Sequence, residues 1–192
     1  LHQGLLHYAG NVPQSVRADW KKIEGRFRTI QYIDDSKEIY RLIAEVVSDR
    51  APSKSFSQRK VAGITRTCKS IGLFTDFSQT ELRDLLYAAQ PIDPVALYLL
   101  PRVSARVAQN ERTLFSFLYS SDLNARVDVA KLFDYFAPSM RSDTAVGGTH
   151  RQWLETESAI TKIPDDEDSI TALKTACLLG LGTSGERSRT GR

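Results

Sequence analysis

Apolar positions recur at helical spacing along most of the chain. In residues 13–24, Val16, Trp20 and Ile23 share one helical face, and Gly25 ends the pattern as a C-terminal glycine does. Residues 26–33 change the rhythm. Phe27, Ile30, Tyr32 and Ile33 are β-branched or aromatic and partly alternate, which predicts a short extended segment. Asp34, Asp35 and Ser36 then offer N-caps, Glu38 sits near the first turn, and Ile39, Leu42, Ile43, Val46 and Val47 restore the helical period.

After a loop over residues 51–57, Val61, Ile64, Cys68 and Ile71 mark another helix that ends near Gly72. Ser78 with Glu81 three residues on is a capping box opening a helix whose apolar face is Leu82, Leu85, Leu86 and Ala89. Pro91 stops it. Asp93 and Pro94 are placed as N-cap and first helical residue of the next, whose apolar positions run through Val95, Leu99, Leu100, Val103, Val107, Leu114, Phe115 and Leu118. Pro101 should kink or split that stretch. Residues 126–136, 152–163 and 169–181 are also periodic, with breaks at 138–148 and 164–168.

These elements predict an all-α helical bundle in one or two subdomains, with a short extended segment near residues 26–33. The division expected is a bundle over residues 1–120, a second helical module over 121–181, and a disordered tail over 182–192 rich in Gly, Ser, Thr and Arg. The second module reads as truncated, because the apolar helix near its end has nothing after it to pack against.

Composition narrows the class. With 41% apolar and 26% charged residues the 192-residue chain has the balance of a folded protein. Its 26 basic and 23 acidic residues leave a formal charge of +3, a small surplus rather than a phosphate-tracking stripe. Cys68 and Cys177 form neither a disulfide framework nor a metal-ligand spacing, so a reducing, cytoplasmic setting is expected. No apolar run is long enough for a bilayer, and residues 1–10 lack the features of a signal peptide. The first residue is Leu rather than Met, which suggests an excised or processed piece.

Self-contained chemistry is scarce. The sequence has no G-x-x-x-x-G-K-[ST] loop, G-x-G-x-x-G, H-E-x-x-H or nucleophile elbow, and His2, His7 and His150 have no ligand grouping around them. Cys68 falls on an apolar helical face and reads as a buried structural thiol, as does Cys177. The run Asp165-Asp166-Glu167-Asp168 precedes a helix and reads as a solvated cap rather than a calcium loop, whose ligands alternate around a turn.

Two arginine-bearing stretches stand out: Trp20-Lys21-Lys22-Ile23-Glu24-Gly25-Arg26-Phe27-Arg28, and Ala108-Gln109-Asn110-Glu111-Arg112-Thr113-Leu114-Phe115-Ser116-Phe117-Leu118. Together they resemble the helical lid and following region of an AAA-type or signal-transducing P-loop ATPase. Residues 1–181 also resemble the helical part of large bacterial ATP-binding proteins associated with anti-phage defence. The resemblance implies that Arg112, Asn110 and Arg26 are nucleotide-sensing residues, with no catalytic or metal-binding residue in this chain. ATP and magnesium would belong to the full-length protein and not to this chain alone, since the phosphate loop and acidic strand are missing. Arginine suits a sensing role because its charge is permanent and its planar donors grip phosphate oxygens. The expected partner is the rest of a larger ATPase or another protein, and no membrane.

Two other classes remain open: a non-enzymatic helical scaffold for another protein, and, with weaker support, a helical nucleic-acid binder. The second draws on Arg59, Lys60, Arg66, Lys69, Arg102 and Arg106, although Arg59, Lys60 and Arg66 do not share one face.

Overall fold

A computed structural model describes residues 36–51, 54–108, 111–144, 147–163 and 166–183. The predicted helix at 13–24 and the extended segment at 26–33 lie outside the described residues. Those described belong to one compact unit, Asp35–Arg192. Among the described residues eight α-helices follow one another: α1 (Ser36–Arg50), α2 (Gln58–Ser70), α3 (Gln79–Ala88), α4 (Pro94–Val103), α5 (Glu111–Ser120), α6 (Val129–Ser142), α7 (His150–Ile160) and α8 (Glu167–Thr183). No strand occurs among the described residues, where a single parallel bridge pairs Ile92 with Val127. The fold is all-α.

Helix α4 is the axis of the bundle. Ala96, Leu97, Tyr98, Leu99, Leu100 and Val103 are all buried, so it is apolar nearly all round and must be enclosed. Helices α1, α5, α6 and α8 enclose it. Its start is pinned from two directions. Asp93 Oδ1 accepts the Val95 N–H at 2.9 Å, and Asp93 Oδ2 accepts Arg126 Nη2 at 2.5 Å. The Asp93 N–H also donates to the Val127 carbonyl at 2.8 Å, while Val127 N–H donates to Pro91 O at 3.2 Å. One side chain thus caps the central helix and fixes the segment leading into α6.

Helices α1 to α3 close one flank. Ser57 and Ser78 cap α2 and α3, the latter through a full capping box with Glu81. Between α2 and α3 the chain turns through Gly72 (φ 78°) and Phe74 (φ 55°). Lys69 Nζ gathers that turn by donating to the carbonyls of Phe74, Thr75 and Phe77 at 3.2, 3.2 and 2.6 Å. The turn delivers Phe74 into an edge-to-face cluster with Tyr40, Phe77 and Tyr98, ring centroids 5.2 to 6.0 Å apart. Gln90, buried before the cis Gln90–Pro91 bond, holds the preceding loop: its Oε1 accepts Phe56 N–H at 2.6 Å and its Nε2 donates to Phe56 O at 3.3 Å.

Several expected boundaries move. Helix α6 passes through the predicted break at Pro138 and runs to Ser142, starting at the Asp128 cap rather than at Arg126. Pro138 is exposed, so the bond its ring denies to the Asp134 carbonyl is lost on the solvent side, while Phe136 and Met140 on the inner face are fully buried. Helix α8 continues two residues into the predicted tail, because Gly182 lies against α4; a Cβ there would stand 2.8 Å from Leu99 Cδ2. Residues 184–192 lie outside the described residues. Past Pro101, α4 gives way at Ser104–Ala108 to a π-helical turn, the interruption expected of a proline. Among the described residues one hydrophobic core cluster includes Leu82 and Leu97 before residue 120 and Phe133 and Leu178 after it.

In α5 the aromatic anchor is Phe117, 3% exposed, rather than Phe115, which is half-buried. Phe117 packs against Tyr135 at 5.0 Å. Replacing Phe117 by Ala should therefore cost about 3–5 kcal/mol in urea unfolding, and Phe115→Ala clearly less. A larger loss at Phe115 would contradict the packing. Ser104 Oγ is buried with no hydrogen-bond partner among the described residues. Ser104→Ala should accordingly be neutral or stabilising by up to about 1 kcal/mol in the same assay, since it removes a desolvated hydroxyl and no bond.

Candidate functional site

Of the three residues expected to sense nucleotide, Arg26 and Asn110 lie outside the described residues. The Arg112 backbone falls in the first turn of α5, and its side chain is not among those described. What the structure describes is the setting of the Arg112 backbone. Upstream is the π-helical turn, held by Arg106 Nη2 donating to Gly147 O at 2.8 Å. Downstream, Leu114, Phe117 and Leu118 anchor α5 in the core.

The far end of α5 is gripped by α1. Arg50 Nη1 donates to Leu118 O at 2.5 Å and Nη2 to Tyr119 O at 3.1 Å, with the guanidinium 5.1 Å from the Tyr119 ring centroid. Those carbonyls are without intrahelical partners at a helix C-terminus, where the dipole also favours a cation.

Other candidate cations are engaged inside the fold. Lys69 is held by three carbonyls, as above. Arg102 packs its guanidinium 3.8 Å from the Tyr98 ring centroid, donates to Tyr98 O at 3.1 Å and donates to the Tyr40 hydroxyl. Tyr40 in turn donates to Tyr98 O at 2.9 Å. Arg59, Lys60 and Arg66 are exposed on α2, with Lys60 Nζ 3.9 Å from the Phe56 ring centroid. The six basic residues considered for nucleic acid therefore divide: Lys69, Arg102 and Arg106 hold the backbone, and Arg59, Lys60 and Arg66 face solvent without such bonds among the described residues.

The remaining reactive types are accounted for locally. Burial raises the thiol pKa of Cys68 and of Cys177 above the ordinary value, which disfavours the thiolate. His150 Nδ1 lies 2.6 Å from Arg141 O. Asp166 Oδ2 accepts the Ser169 N–H at 3.1 Å and the Ser169 hydroxyl, so this member of the acidic run caps α8. No group of three or more His, Cys, Asp or Glu side chains is arranged to hold a metal among the described residues.

Among the described residues, two surface grooves have volumes of about 540 Å³ each. One lies between α6 and α7, lined by Asp134, Pro138, Arg141, Trp153 and Glu157. The other lies between α1 and α3, with Ala44, Phe77, Leu85 and Ala88 at its floor and Arg41, Glu45, Asp49, Glu81 and Asp84 along its walls. At one end of the second, Glu81 meets Lys37 Nζ at 3.4 Å and Arg41 Nη2 at 3.7 Å. Its Oε2 accepts the Ser78 N–H at 2.8 Å. Toward Ala88, Lys54 Nζ donates to Ala88 O at 2.9 Å and Ser48 Oγ at 3.4 Å, and burial pulls its pKa below the ordinary value. Sequence reading passed over this groove. The signal was present in α1, where Glu38, Leu42, Glu45 and Asp49 recur at the spacing of one helical stripe.

No family model matches the chain, and neither a curated protein nor a solved structure matches it. No helix among the described residues is long and apolar enough to cross a membrane.

The Glu81 carboxyl is held down to about 2 from 4.5, first by the Ser78 N–H and then by the Ser78 hydroxyl and Lys37. A depressed carboxylate stabilises the fold above its unfolded pKa and loses that contribution as pH falls through the folded one. Thermal melts should therefore show the difference between the natural chain and Glu81→Gln shrinking as pH is lowered from about 4.5 toward 2, and constant above it. A difference that persists unchanged to the acid end would contradict the assignment.

Proposed function

We propose that this chain is the regulatory or lid module of a larger P-loop ATPase, coupling nucleotide state to conformational change without hydrolysing nucleotide itself. In this reading it works in the cytoplasm, in the setting of anti-phage defence, with ATP and magnesium bound elsewhere in the full-length protein. The supporting observation is the setting of the Arg112 backbone. It falls in the first turn of a helix that is anchored in the core and gripped at its far end by Arg50, and a π-helical turn at Ser104–Ala108 precedes that helix in the chain. π-Turns are concentrated at functional sites, and a sensing arginine needs a rigid helix behind it to pass on a displacement.

A second reading, a helical scaffold for another protein, draws on a different observation. Leu42, Leu154 and Tyr119 are 46%, 52% and 66% exposed, in a surface that also carries two grooves. Reading the coding sequence upstream of Leu1 separates the two: a P-loop followed by an acidic strand favours the ATPase module, and an unrelated start favours the scaffold.

In the intact protein, Arg112→Ala should reduce nucleotide-dependent activity while the fold survives, as expected of a lost contact to the phosphates rather than of lost packing. In the isolated chain the same change should shift stability by no more than about 0.5 kcal/mol, the range of surface substitutions. Unchanged ATP turnover together with an unchanged ATP-driven response would remove Arg112 from the site.

A further inference from the structure

We infer that the outer ridge of α1 and the adjoining α1–α3 groove are a docking surface for a lysine- or arginine-bearing amphipathic helix of a partner protein. The inference concerns contact alone and does not depend on the nucleotide reading.

Three observations meet there. First, the groove has an apolar floor, Ala44, Phe77, Leu85 and Ala88, and a volume of about 540 Å³, enough for several apolar side chains but open along its length. Second, Leu42 stands on the ridge beside it and is 46% exposed, an apolar side chain that finds no burial in the bundle. Positions 38, 42, 45 and 49 are three or four residues apart, so Leu42 shares its stripe with Glu38, Glu45 and Asp49.

The third observation is the charge balance. Every other charged group around the groove is already engaged. Glu81 is met by Lys37 and Arg41, Glu38 by Arg41, and Asp84 by Arg83 at 2.8 Å. Lys54 donates to Ala88 O and Ser48 Oγ. Arg50, next to Asp49 in sequence, is turned away to the carbonyls of α5. Glu45 and Asp49 have neither an ion pair nor a side-chain hydrogen bond among the described residues. They are one turn apart, so their like charges repel along the helix. These two carboxylates therefore stand without a contacting counter-ion beside an exposed leucine.

An occupant complementary to it has apolar residues at i, i+3 or i+4 to cover Leu42 and enter the groove, and cationic side chains on the flanks to reach Glu45 and Asp49. Lys and Arg fit because their long stems cover apolar surface while their charged ends extend to the carboxylates. An acidic helix of the same shape would meet like charge and be rejected.

The test uses the full chain and two fluorescein-labelled helical peptides with the same leucine face, one flanked by lysines and arginines and the other by glutamates. Fluorescence anisotropy should show the cationic peptide binding, with an affinity that falls as salt rises, and the acidic peptide binding far more weakly. The double variant Glu45→Gln/Asp49→Asn should weaken the cationic peptide about tenfold, two rim ion pairs being lost, and flatten the salt dependence. Leu42→Ala should weaken it without changing the salt slope. The control pair Glu167→Gln/Asp168→Asn, on exposed positions of α8, should leave binding unchanged. Equal binding of the two peptides, or loss in the control pair as large as in the α1 variants, overturns the inference. Circular dichroism of each variant confirms that the helices are retained.

Discussion

The burial of α4 is the constraint on which the rest of this bundle depends. A ten-residue helix that is apolar on nearly every side cannot stand at a surface, so the other helices are arranged as its wall. Asp93 sets where that helix begins, and the same carboxylate ties down the segment that leads to α6. Capping and connection are thus one event. If the Asp93 carboxylate is removed, the start of the central helix and the entry to α6 lose a partner together, and Arg126 is left without its counter-ion.

Much of this architecture is legible in the chain because local signals and burial agree. The Ser78–Glu81 box, the Asp93–Pro94 start and the Gly72 stop are read from residue type, and the structure uses each as written. Legibility fails where tertiary contact overrides the local signal. Pro138 reads as a stop, yet five apolar side chains of α6, with Met140 beyond the proline, are drawn into the core and carry the helix on. Gly182 reads as the start of a tail, yet its lack of a side chain is what admits α8 to close range of Leu99. Phe115 and Phe117 are both plausible anchors by type; which of them faces inward depends on where the π-turn leaves the phase of α5, and periodicity alone does not carry that information across the turn.

The candidate site was legible to a different degree. A motif in residues 108–118 can be seen in the sequence, and so can a surplus of cations. What the sequence does not show is how many of those cations are already committed. Lys69, Arg102 and Arg106 look identical to solvated charges on paper, yet each donates to main-chain carbonyls in the folded chain. Their charge serves backbone groups that turns and helix ends leave without partners. The formal surplus of positive charge therefore overstates what the surface offers to a polyanion. The opposite holds on α1, where carboxylates that look ordinary in sequence emerge as the pair left over after the neighbouring ion pairs have formed.

The grip of Arg50 on the end of α5 has a mechanical reading. Its two donors lie on a planar, rigid fork and engage consecutive carbonyls, so the end of α5 is held at two points by one side chain of α1. Helix α5 is thereby joined at its C-terminal end to α1, the helix that carries the exposed leucine ridge, so that any relative displacement of the two would strain the same pair of hydrogen bonds.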